Sequence, residues 1–278
     1  METPLQQTIL PKAPLGQKSP YPKHYDRSLL FPVERDSQRK AMNFPDLVFH
    51  GYDLWHADEV LWRNLKGKPV RAYGCFVAPA NSKNLLESKS VKLYLNSVNH
   101  ERFVSMEDLA LMIGRDLSAI SESKIHVFLA HRSFQQSDLS IFADYRCLDD
   151  IDVEISHYHR TPELLSVDFT ANVVDKVASH VFKSHCLCTG QPDMGSIFVE
   201  YQGPKIDDAG LLQYLVSYAE HAGFSENCIE QIFVDILERA KPEKLTIHGL
   251  FTTRGGIRVN PYRSTHELLF DRARIFNQ

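Results

Sequence analysis

The order in which the hydrophobic period changes along residues 180–251 constrains this chain more than any other feature. His180–Thr189 reads as a strand, and Ser196–Tyr201 alternates as a half-buried strand does. Gly190-Gln191-Pro192-Asp193 between them is a turn, since Gly and Pro both favour one. The period then becomes helical. Apolar residues fall at Leu211, Leu212, Leu215, Val216 and Tyr218, and again at Ile229, Ile232, Phe233, Ile236 and Leu237 in a helix expected over Glu226–Arg239. Lys244–Phe251 returns to a strand, and Arg254-Gly255-Gly256 is a turn carrying a positive charge. Strand, strand, helix, helix, strand is the order of an α+β unit with its helices on one face of an antiparallel sheet.

A shorter version of the same order runs through the first half. Tyr52, Leu54 and Trp55 suggest a strand or turn, and Val70–Pro79 a strand ended by proline. Asn81–Leu86 reads as a loop, and Glu87–Asn96 mixes polar and apolar positions. Leu109, Met112, Ile113 and Leu117 give Met106–Ser121 helical spacing, and Lys124–Leu129 has strand character. The expectation is a duplicated unit: a first half over 46–150, a second over 165–278, and a junction near 145–170. Residues 1–45 carry Pro4, Pro11, Pro14, Pro20, Pro22, Pro32 and Pro45, so an arm with little regular structure is expected there.

Several functions are excluded or disfavoured. Net charge is −4, so no global basic field attracts nucleic acid. Neither a membrane-spanning apolar run nor an export signal is read, and five spread cysteines point to a reducing cytoplasm rather than a disulfide framework. The glycine-rich nucleotide fingerprint, the phosphate loop and the Gly-x-Ser-x-Gly elbow are all missing. His266-Glu267-Leu268-Leu269-Phe270 lacks the second histidine of a zincin helix, and Cys186-Leu187-Cys188 has the wrong spacing for a zinc knuckle, so no metal is expected.

Chemistry concentrates at one turn. Cys186 lies at a strand end, and Asp193 follows across the turn, where a thiol and a carboxylate can meet at one end of a hairpin. A nucleophilic cysteine needs such a proton acceptor or a depressed pKa. The plainer alternative is a core cysteine beside a turn-forming aspartate. Cys188 is two residues away, so on a strand both thiols face the same side and periodicity cannot separate them.

Glu87-Ser88-Lys89-Ser90-Val91-Lys92-Leu93-Tyr94, together with Cys186 and Gln191-Pro192-Asp193, resembles the QueF family, the NADPH-dependent 7-cyano-7-deazaguanine reductases. Phe224-Ser225-Glu226, Arg254-Gly255-Gly256 and Asn260-Pro261-Tyr262-Arg263 are similar to that family's later motifs. The likeness spans nearly the whole chain and is to the long form, in which two tunnelling-fold (T-fold) halves are fused. It implies reduction of a deazapurine nitrile to an aminomethyl group, in the pathway to the queuosine tRNA modification. It also implies Cys186 as the nucleophile that forms a thioimide and Asp193 as proton donor and acceptor. Leu86, Glu87, Ser88, Ser225 and Glu226 would hold the substrate, and Ser88, Lys89, Arg254 and Gly255 the NADPH, with Lys92, Arg258 and Arg263 adding to the positive field. A carboxylate suits the paired N–H donors of a guanine-like edge. No metal, no direct nucleic-acid or membrane contact, and a homodimer complete the implied picture.

One position departs from the family pattern: Ser225 stands where the motif usually has histidine. Serine does not titrate near neutral pH, although it could cap the following helix. His221 lies close enough in sequence to compensate. Two alternatives follow: a T-fold protein with cyclohydrolase-like chemistry, for which no Cys/His metal set can be assembled, and a non-catalytic purine-binding homologue.

Overall fold

The computed structural model describes residues 22–44, 46, 49–131 and 142–267. Within them the chain is mixed α+β. The strands are β1 (Pro32–Glu34), β2 (His50–Arg63), β3 (Pro69–Pro79), β4 (Asn84–Leu86), β5 (His126–Ala130), β6 (Arg146–Cys147), β7 (Val167–Cys186), β8 (Pro192–Ile206), β9 (Ala222–Gly223), β10 (Lys244–Phe251) and β11 (Ile257–Ser264). The α-helices are α1 (Arg35–Ala41), α2 (Ser88–Val98), α3 (Met106–Ser121), α4 (Asp208–Val216) and α5 (Ser225–Ala240). The chain divides into one compact unit of Met1–Asn43, Asp53–Gln135 and Thr253–Arg258, and a second of Phe44–Tyr52, Gln136–Thr252 and Val259–Gln278.

In the first unit the sheet order is β5-β3-β2, with β3 and β5 antiparallel, and β1 pairs separately with β4. Ser105 starts α3 by accepting the Asp108 N–H at 3.1 Å, and the first turn carries Glu107 and Asp108, which suit the positive helix end. Leu109, Ile113 and Leu117 form its buried stripe, and Glu122 ends it in the left-handed conformation at φ 50°. Each of these side chains removed from water contributes about 1.5–3 kcal/mol.

The second unit is built on β11-β10-β8-β7-β6, with β9 beside β7. The β7–β8 hairpin is antiparallel and pairs Ser184 with Asp193 and His185 with Pro192. Helix α5 packs on β10, with Ile229 against Gly249, and its Ile229, Ile232, Phe233 and Ile236 are fully buried. Its buried face also carries acids. Glu230 accepts from Arg263 Nη2 at 2.8 Å and Nε at 3.1 Å, while Asp235 accepts from Arg160 Nε at 2.8 Å and from the Tyr214 hydroxyl at 2.5 Å.

Three sequence expectations change. Pro4, Pro11, Pro14, Pro20 and Pro45 lie outside the described residues, but residues 32–41 of the expected arm form β1 and α1, because no proline interrupts the chain between Pro32 and Pro45. The expected loop at 81–86 contains β4, a strand too short for a period to show. The strand expected through Thr189 stops at Cys186: the Gly190 N–H bonds the Cys186 carbonyl at 2.9 Å and the Cys186 N–H bonds the Gln191 carbonyl at 2.8 Å, which closes residues 187–189 into a turn.

Candidate functional site

Two groups of the candidate residues come together, one in each unit. In the second unit, Cys186 is the last residue of β7, buried, and paired with Gly223 of β9. Because Cys188 sits in the turn and not on the strand, it does not compete with Cys186 for one face; it serves it. The Cys188 thiol hydrogen-bonds the Cys186 sulfur, and this contact is the largest influence lowering the Cys186 pKa to about 5. Burial opposes it, and the Thr189 hydroxyl and the backbone N–H groups of Cys188 and Thr189 add further donors. A turn that aims this many donors at one sulfur favours the thiolate, the nucleophilic form.

Cys228 is the contrasting thiol. Burial pushes it up to about 12, helped by the negative charges of Asp193 and Glu226. Gly223 completes the packing: a Cβ there would lie 3.3 Å from both Cys228 Sγ and His221 Nε2. His221 is held down to about 4 by burial, with the charges of Arg160 and His159 adding to the effect. It is therefore neutral near pH 7 and cannot stand in for a histidinium at position 225.

Ser225 also differs from expectation. Phe224 occupies the N-cap of α5 and makes no side-chain cap bond. Ser225 is the first helical residue, and its hydroxyl donates to Glu226 Oε2 at 3.1 Å. Serine here orients the neighbouring carboxylate. Glu226 is 4% exposed in the first turn of α5, where the helix end favours its negative charge.

In the first unit, Leu86 is buried in β4 and pairs with Pro32. Glu87 is no solvated loop charge. It is fully buried and caps α2, with Oε1 accepting the Lys89 N–H and Oε2 the Ser90 N–H, both at 2.7 Å. Ser88 and Lys89 follow in the first turn of α2, both half-buried. Lys92 lies one turn further on, against the Arg254-Gly255-Gly256 turn. A Cβ on Gly255 would meet Lys92 Cε and Nζ at 3.4 Å, and Gly255 itself is exposed with φ +61°, a conformation that favours glycine. The Asp58 N–H anchors this turn by donating to the Gly256 carbonyl at 2.8 Å. A lysine ammonium beside an exposed glycine turn suits an anionic group such as a dinucleotide phosphate.

Two cations expected in that field are committed elsewhere. Arg258 is buried against Asp58, with Nη1 3.1 and 3.2 Å from the two carboxylate oxygens and 2.8 Å from Thr253 Oγ1. Arg263 is fully buried on Glu230 and the Tyr52 and Tyr262 carbonyls. Both are structural, because a guanidinium without water must keep its carboxylate. What sequence reasoning did not foresee is that Cys188 and Thr189 donate to the Cys186 sulfur. The signal available was the glycine four residues after Cys186, which permits the tight turn that aims them.

The family model described as nitrile reductase, 7-cyano-7-deazaguanine-reductase N-term, matches residues 21–129, and a second, described as QueF-like protein, matches residues 192–268. Among relatives, the NADPH-dependent 7-cyano-7-deazaguanine reductase of Hydrogenovibrio crunogenus is 42% identical over 273 residues, covering 96% of this chain and 97% of the relative. Proteins of the same name from Coxiella burnetii and Chromobacterium violaceum are 44% and 42% identical over 259 and 255 residues. Those alignments cover 92% of this chain and of the Coxiella relative, and 91% of this chain and of the Chromobacterium relative.

Proposed function

The chain belongs to the QueF family, and from that membership we infer that it is an NADPH-dependent oxidoreductase reducing the nitrile of 7-cyano-7-deazaguanine to an aminomethyl group, in the pathway to queuosine. The observation that carries the reading is the Cys186 thiol, lowered to about 5 by the Cys188 and Thr189 donors of the turn that follows it at the end of a hairpin. In the proposed mechanism the Cys186 thiolate bonds the nitrile carbon, one carbon–nitrogen π bond opens, and Asp193 delivers a proton to the nitrogen, giving a covalent thioimide. NADPH supplies hydride, and the four-electron change from nitrile to amine takes two such cofactor molecules. Cys186 leaves as thiolate between the two reductions, stabilised by the same donors that formed it. Glu226 accepts N–H donors of the ring, held in orientation by the Ser225 hydroxyl. Leu86, Glu87 and Ser88 belong to the substrate side in this reading, and Ser88, Lys89, Lys92, Arg254 and Gly255 hold cofactor phosphate.

The fold assignment within this proposal is two T-fold halves, supported by the antiparallel sheets and the helices packed on them. Five free thiols suit a reducing cytoplasm, and among the described residues no helix is long and apolar enough to cross a membrane. A homodimer is proposed because edge strands such as β5 invite pairing. The test of the activity is the stoichiometry of NADPH oxidation against the nitrile. Two NADPH consumed per nitrile is expected; binding of the deazapurine without NADPH oxidation would overturn the reading in favour of a non-catalytic binder.

A further inference from the structure

We propose that Cys147, Asp149 and His180 form a three-ligand site for a borderline-soft divalent metal, with zinc as the preferred ion. Their sulfur, oxygen and nitrogen ligand atoms all lie within 4.8 Å of one another, on the second unit and apart in sequence from the thiol turn. The fold brings them together at the short parallel strand β6. Cys147 pairs with Ala178, and the Leu148 N–H bonds the Ala178 carbonyl at 2.8 Å, so Cys147 is held alongside the β7 segment that carries His180. The chain then turns, and Asp149 faces the irregular stretch of β7 between Ser179 and Phe182.

The outer contacts are those a metal site uses. His180 Nδ1 lies 2.8 Å from the Ser196 hydroxyl, so the tautomer that donates there leaves the Nε2 lone pair for a metal. The ring also meets Phe198 edge-on at 5.8 Å between centroids, which limits its rotation. Asp149 is fixed twice: Oδ1 accepts the Ser179 hydroxyl at 2.8 Å and Oδ2 the His180 N–H at 2.9 Å. The Cys147 thiol also hydrogen-bonds the Asp149 carboxylate, and loss of the thiol proton on metal binding frees that lone pair. Cysteine, histidine and carboxylate together select zinc over hard cations, and three protein ligands leave the fourth tetrahedral position to water. Bond lengths of about 2.0–2.3 Å put tetrahedral ligand atoms about 3.3–3.8 Å apart. With His180 held by Ser196 and Phe198, rotation of the exposed Cys147 side chain closes the remaining gap of roughly 1 Å. On binding, the sulfur–metal bond forms as the thiol proton passes to solvent, and the ion ties β6 to β7.

Cobalt(II) titrated into the intact chain at micromolar concentration tests this. One cobalt per chain with a thiolate-to-cobalt charge-transfer band is expected, with the band displaced by zinc. Cys147→Ser and His180→Asn lose the band, Cys186→Ala keeps it, and Ser196→Ala weakens binding about 10–100-fold, as the loss of an orienting contact does. Absence of the band in the unaltered chain, its survival in Cys147→Ser, or its loss in Cys186→Ala would overturn the proposal. Zinc should also shield Cys147 from alkylation located by mass spectrometry, a readout independent of variant folding; equal labelling with and without zinc contradicts it.

Discussion

Cys186 works because of what surrounds its sulfur. The thiol falls from an ordinary value near 9 to about 5, so from mildly acidic pH upward it is mostly thiolate. A group whose folded pKa is depressed stabilises the fold fully above its unfolded value. That contribution shrinks as pH falls from about 9 and is gone below about 5. Alkylation of Cys186 followed against pH should show a midpoint near 5, and Cys188→Ala should move it upward. An unmoved midpoint would remove Cys188 from the role given to it. Glu226→Ala should weaken binding of the deazapurine by about 2–5 kcal/mol, the cost of leaving buried donors unpaired; calorimetry that finds equal affinity would exclude a ring-gripping role. The turn residues between Cys186 and Asp193 set the two at the ends of one turn in the sequence, and the structure closes that turn into the β7–β8 hairpin. The donor roles of Cys188 and Thr189 were not legible in the sequence, because a run of apolar and β-branched residues carries a strand period to Thr189, while two backbone bonds end the strand at Cys186.

At the scale of elements, legibility followed length and period. Met106–Ser121 and Lys244–Phe251 have the same bounds in sequence and structure, since each shows an unbroken stripe or alternation. β11 was passed over because Pro261 interrupts it, and β4 because three residues show no period. Helix α5 was visible through its apolar residues, but the apolar stripe gives no sign that Glu230 is fully buried under Arg263. No periodicity can announce a cation supplied from another strand. Glu230→Ala should therefore destabilise the second unit by about 3–5 kcal/mol, the range for orphaning one partner of a buried pair. Thermal unfolding checks this, and a change within experimental scatter would mean that water reaches Arg263. Gly255→Ala should raise KM for NADPH, because it fills the space against Lys92, and should lower the melting temperature, because a side chain at φ +61° is strained; an unchanged KM would take the turn out of the cofactor site.

For the molecule as a whole, strand and helix order made the α+β class readable, while the division into two units that exchange chain at Asp53 and Val259 was not, because such exchanges leave no mark in local periodicity. The edge strands lead to an expected sedimentation mass of two chains at micromolar concentration, and a mass of one chain would count against the dimer. Mass spectrometry of the intact chain incubated with 7-cyano-7-deazaguanine in the absence of NADPH decides whether the covalent step takes place on Cys186. A single adduct of the mass of the nitrile is expected, mapped to Cys186 and lost in Cys186→Ala; an adduct on Cys188, or one that survives in Cys186→Ala, would rule out Cys186 as the nucleophile.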